Sequence, residues 1–151
     1  MNVLIEQLKA LNDPSNEPIS RLCNMLAAIH DTLPDINWSG IYIITNDNTA
    51  ILGPFSGRVA CMTIAPGKGV IGKAVDTHQP IIVSNVLTFE GHIACDSASR
   101  SELVIPLYKD ERLAAVLDLD SAQFACFDNW TQYIEPLRLL FQSVIGELPW
   151  I

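Results

Sequence analysis

A chain of 151 residues with 49% hydrophobic side chains has the size of one compact domain and enough apolar surface for a sizeable core. Nine Lys and Arg against seventeen Asp and Glu give a formal charge of −8, which repels phosphate backbones and anionic lipid surfaces and removes nucleic acid and acidic membranes from the expected partners. No apolar run approaches the roughly 18 residues of a bilayer span, and the opening MNVLIEQLKALNDPSNEP has neither the basic region nor the apolar core of an export signal; the expectation is one domain over residues 1–151 in the cytoplasm.

A short helix is expected over residues 2–11. A second follows, because Ile19, Leu22, Leu26, Ile29 and Leu33 recur three and four apart between Pro18 and Pro34, the spacing of one helix face. From NWSGIYIIT onward the pattern changes to β-rich runs: NTAILGPF, RVACMTI, PIIVSN, ELVIPLY and LAAVLDLD, separated by turn-rich pieces such as TNDN and YKDER. That predicts about six strands. GVIGKAVDTHQ reads as one helix between strands. NWTQYIEPLRLLFQSVIGEL carries a terminal helix, with Pro136 as a kink or an early turn. Helices at both ends of a mostly antiparallel sheet make an α+β fold.

GKGVIG, residues 67–72, matches G-x-G-x-x-G. The repeated βαβ crossovers of a dinucleotide fold are missing, and Ala74 stands where a phosphate loop needs Ser or Thr. A glycine-permitted turn into a helix accounts for it. In LDLDS, Asp118 and Asp120 are two apart in a strand and share a face. They are either solvent-facing charges that discourage edge pairing or the wall of a pocket for a cation, an ammonium group or a proton. Glu102, opening a neighbouring strand, can add a third carboxylate, and crowded like charges raise the pKa of one member into the range of a proton donor. Trp38 and Tyr42, four apart in NWSGIYII, also share a face, as core or as an aromatic pocket wall.

The four cysteines fall at 23, 61, 95 and 126; none form a CxxC pair, and with the three histidines they fit no zinc spacing. Cys23 beside Leu22 and Cys126 beside Phe127 read as packing, and Cys61 in VACMTI as a strand cysteine. Cys95 is different. It lies in GHIACDSASRSE, residues 91–102, a run of small polar residues without helix or strand period, where His92 or Arg100 could favour a thiolate. A long irregular stretch in a small domain is often a lid or binding loop.

Taken in order, NWSGIY, LGPFSGRVACMTI, GKGVIG, GHIACDSASRSELVIPLYKDERL and AAVLDLDS resemble the free methionine-(R)-sulfoxide reductases, GAF-domain proteins, over about residues 18–145. The resemblance implies a GAF-like α+β fold. It implies Cys95 as nucleophile, Cys61 as the cysteine that resolves it by disulfide formation, Glu102, Asp118 and Asp120 as the pocket carboxylates, and Trp38 and Tyr42 as the aromatic wall. It implies an external dithiol such as thioredoxin as reductant, no bound cofactor, and a homodimer. One position departs: members often carry GVCG, and this chain has GVIG with Ile71, so any recycling through that thiol is lost. Two other functions stay open at this point: a non-catalytic GAF sensor of a small ligand, and a redox switch working through Cys61 and Cys95.

Overall fold

Six strands form one sheet in the computed structural model, which describes residues 1–91, 93, 95 and 97–151. They are β1 (Ile36–Ile44), β2 (Ala50–Gly57), β3 (Thr63–Ile64), β4 (Ile81–Val83), β5 (Ser101–Lys109) and β6 (Arg112–Ser121). The spatial order is β3-β2-β1-β6-β5-β4, and every neighbouring pair is antiparallel. The expected α+β architecture is the one found. β5 and β6 are joined through Asp110 and Glu111, with φ of 49° and 65°, the left-handed pair whose twist matches a tight hairpin.

Four helices flank the sheet: α1 (Asn2–Leu11), α2 (Pro18–Thr32), α3 (Gly69–Thr77) and α4 (Thr131–Glu147). Pro18 sits at the start of α2, where its fixed φ suits the helix and its missing N–H has no intrahelical partner to lose. Leu22, Met25, Leu26 and Ile29 form the buried stripe of α2. Cys23 follows Leu22 by one residue, about 100° around the helix, and is exposed; the packing role expected of it is wrong. Cys126 is partly buried against the core, as expected. Pro136 stands in the second turn of α4, which runs on through it to Glu147.

β3 is much shorter than RVACMTI suggests. Only Thr63 and Ile64 pair with β2, so Cys61 lies in an irregular stretch and not in a strand. The reason is local: Gly57 ends β2 at φ 134°, a backbone conformation that favours glycine, and the carbonyls of Arg58 and Cys61 then bond to side chains instead of a ladder.

Strand alternation divides the sheet into two faces. Ile41, Leu103, Ile105, Leu107, Leu117 and Leu119 point toward α1, α2 and α4 and form a large apolar core with them. Trp38, Tyr42, Val104 and Val116 point the other way and pack with α3 and the loops. α3 lies in the connection between β3 and β4, the two opposite edges of the sheet. Its leading GKGVIG is a structural device: Gly67 and Gly69 have φ of 69° and 65°, and a Cβ on Gly72 would stand 2.4 Å from the Gly67 carbonyl carbon. The glycine reading of the motif holds.

Candidate active site

The site begins with how β1 seats an indole. Trp38 is 2% exposed, and its ring lies across the backbone of Gly40. A Cβ on Gly40 would stand 2.2 Å from the indole, and one on Gly57, across the strand pair, 2.6 Å from it. Gly40 in NWSGIY and Gly57 in LGPFSG therefore make room for the ring. Phe55 stacks on it at 5.5 Å between centroids, and Tyr42 lies 5.9 Å away, tilted by 32°. The indole Nε1 donates to the Arg58 carbonyl at 3.0 Å, and the Tyr42 hydroxyl donates to the Cys61 carbonyl at 2.9 Å.

Three carboxylates come together beside these rings because of register. Asp120 pairs with Trp38 on one side and Glu102 on the other, while Asp118 pairs with Gly40 and Val104. The solvent-facing reading of LDLDS fails, since β6 is a central strand and Asp118 is 5% exposed; Glu102 is 7% exposed. Burial pushes the pKa of both Glu102 and Asp118 up. The Asp120 charge pushes both the same way, and the Asp118 charge adds to the effect on Glu102. The two share a hydrogen bond, which requires a proton on one of them. Asp118 Oδ1 remains buried without a hydrogen-bond partner among the described residues. Such an acceptor is costly unless something bound satisfies it. Burial, followed by the three nearby carboxylates, also pushes the Tyr42 phenol far up, so it stays a donor.

Cys61 and Cys95 are joined by a disulfide, with Cα atoms 5.4 Å apart across 34 residues of sequence. Cys95 stands on the wall of a cavity of about 530 Å3, its open mouth included, which Trp38, Tyr42, Glu102, Asp118 and Asp120 also line. A reactive sulfur, an aromatic wall and an acid cluster thus meet in one pocket. Ile71 closes part of it, and Ile93 packs over Gly69 at the start of α3. His92 lies outside the described residues. Arg100 holds the loop by its guanidinium, donating to the carbonyls of Ser97 at 2.8 Å and Ser99 at 2.9 Å.

The sequence brought seven of these lining residues to attention, Ile71 among them; Lys68 and Ser99, which line the same cavity, are among those it missed. Lys68 was visible inside GKGVIG but was overshadowed by the glycines, whereas Ser99 joins only through tertiary folding. Among the described residues no group of three or more His, Cys, Asp and Glu is arranged to hold a metal ion, and no helix is long and apolar enough to cross a membrane.

Known proteins resemble this chain in sequence and in fold. The GAF domain family matches residues 22–142. A free methionine-R-sulfoxide reductase of Escherichia coli strain K12 is 45% identical over 129 residues, 85% of this chain and 78% of that protein. A structure of the free methionine-R-sulfoxide reductase of Neisseria meningitidis in complex with its substrate superposes with a TM-score of 0.83 at 31% identity, covering 95% of this chain and 84% of that one. The reduced form of fRMsr of Staphylococcus aureus gives a TM-score of 0.83 at 38% identity, covering 97% and 92%. With its fold, its cysteine pair and this likeness taken together, the chain belongs to the GAF-domain family and, within it, to the free methionine-R-sulfoxide reductases.

Proposed function

We propose that this protein reduces free methionine-(R)-sulfoxide to methionine, with Cys95 as the nucleophile. The observation that carries the reading is the disulfide from Cys61 to Cys95 on the wall of a cavity that also holds three carboxylates. In the reduced enzyme the Cys95 thiolate attacks the sulfoxide sulfur. Glu102, whose pKa burial and the neighbouring carboxylates raise, supplies a proton to the sulfoxide oxygen. The oxygen passes to Cys95 as a sulfenic acid, and methionine leaves with its sulfur reduced. Cys61 then condenses with the sulfenic acid, releasing water and forming the disulfide.

Asp118 and Asp120 take the ammonium group of the substrate, and the unsatisfied Asp118 Oδ1 supports this assignment. A methionine sulfoxide inside a peptide has a neutral, chain-bound nitrogen and leaves those charges unpaired, so the free amino acid is preferred. Trp38 and Tyr42 enclose the methyl end. No bound cofactor enters, because the two electrons come from two thiols. A protein dithiol of the thioredoxin class restores both thiols by exchange. The working form is a homodimer, a reading that rests on the family resemblance, and a cytoplasmic place is the expectation carried over from the sequence.

The test is methionine release from purified, reduced protein given separated R and S free sulfoxides and dithiothreitol. Release from the R form alone is expected. Cys61→Ser should release one methionine per enzyme and then stall with thioredoxin as sole reductant. No release from folded, reduced protein would replace the reductase by a ligand sensor.

A further inference from the structure

The stretch that carries Cys61 has little of its own to hold it. Residues 58–61 belong to no helix or strand, Val59 is 87% exposed, and Met62 just beyond is 77% exposed. Only Ala60 and Cys61 pack, partly buried, against the pocket-face core, so few side chains fix its path. Its carbonyls are gripped instead. Arg58 O accepts from Trp38 Nε1 and Cys61 O from the Tyr42 hydroxyl, while Met62 O accepts from the Leu52 backbone N–H at 3.0 Å. Both aromatic donors are rigid, each 2% exposed on the central part of the sheet.

We propose that Trp38 and Tyr42, besides lining the pocket, are positioning residues for the resolving step: they clamp the Arg58–Cys61 backbone by its carbonyls and so keep the Cys61 sulfur beside Cys95. The proposal rests on the reductase reading for its place in the reaction. In that step the Cys61 sulfur attacks the sulfenic sulfur of Cys95; an S–S bond forms, the S–O bond breaks, and the oxygen leaves as water with the Cys61 proton. Nothing else is oxidised or reduced. Held at the required separation, the thiol reacts at a high effective concentration; released, it must first pay for closing a loop across 34 residues. The Tyr42 phenol is suited to the task because it stays protonated and cannot cease to donate.

The clamp is testable without any sulfoxide. Wild-type protein, Tyr42→Phe, Trp38→Phe and Tyr108→Phe are equilibrated in glutathione redox buffers, and the fraction carrying the Cys61–Cys95 disulfide is read by alkylation and mass. Tyr108, whose hydroxyl lies 3.3 Å from His78 Nδ1, is the control for losing a phenol far from the disulfide. Tyr42→Phe and Trp38→Phe should each lower the effective concentration of the thiol pair by about 5- to 10-fold, the worth of one hydrogen bond, and Tyr108→Phe should leave it unchanged. With R-sulfoxide and dimedone, Tyr42→Phe should also raise the ratio of trapped Cys95 sulfenic acid to disulfide. Values within about twofold of wild type for both clamp variants, or an equal fall in Tyr108→Phe, would overturn the proposal. The glutathione titration stands even if no methionine is released, so the clamp and the reductase reading fail separately.

Discussion

The two faces of the sheet are built from the same strands and do opposite work. On the helix face, Leu103, Ile105, Leu117 and Leu119 are fully buried against α1, α2 and α4, and their contacts serve burial. On the pocket face the residues between them, Glu102, Asp118 and Asp120, bring charge into a setting that opposes it. A period of two lets one residue stabilise and the next react. The helix face must also offset what the pocket face costs.

The largest separation of the two faces should come from Cys95→Ser. Thioether formation from R-sulfoxide should fall by at least about 10⁴-fold, while the denaturation midpoint of the reduced protein stays close to wild type because the substitution keeps the shape of a small side chain. Residual turnover in this variant would move the nucleophile elsewhere. Leu117→Ala is the complementary change, one residue from Asp118 but on the other face. It should cost about 2–5 kcal/mol of stability through the cavity it leaves, read by urea unfolding, with methionine release per folded molecule unaltered at low temperature. A matching loss of activity would show that the two faces are coupled more tightly than alternation requires.

The helix face was legible in the sequence because apolar spacing reports burial directly. Leu22, Leu26 and Ile29 announce α2, and the six strands follow from alternation and turn residues. The site was legible in part. Asp118 and Asp120 share a face by spacing alone, but only register shows that Glu102 stands opposite Asp120 and that β6 is central, which buries Asp118 and leaves Asp120 half-buried. Cys61 was misplaced in a strand since β-rich composition cannot foresee that Trp38 and Tyr42 replace the ladder as hydrogen-bond donors. Cys23 was misplaced for a smaller reason: next to a core residue on a helix is not on the core face.

Asp118→Asn is the finest probe, because it should weaken one face's chemistry and strengthen the whole fold. Both Glu102 and Asp118 have pKa values raised by burial, whereas unfolded carboxylates titrate near about 4. Between those limits the folded state binds more protons than the unfolded one. Stability from this pair is therefore complete below the unfolded pKa and is lost as pH rises through the folded values. Removing one ionisation should flatten that fall and raise the neutral-pH melting temperature by about 2–4 °C, equivalent to roughly 1 kcal/mol. Methionine release should drop by about 10²-fold as the ammonium loses its charged partner. Thermal melts of both proteins from pH 4 to 8 decide the matter. Parallel curves would mean that the pair ionises at no cost to folding, and that the price of the pocket is borne by other groups.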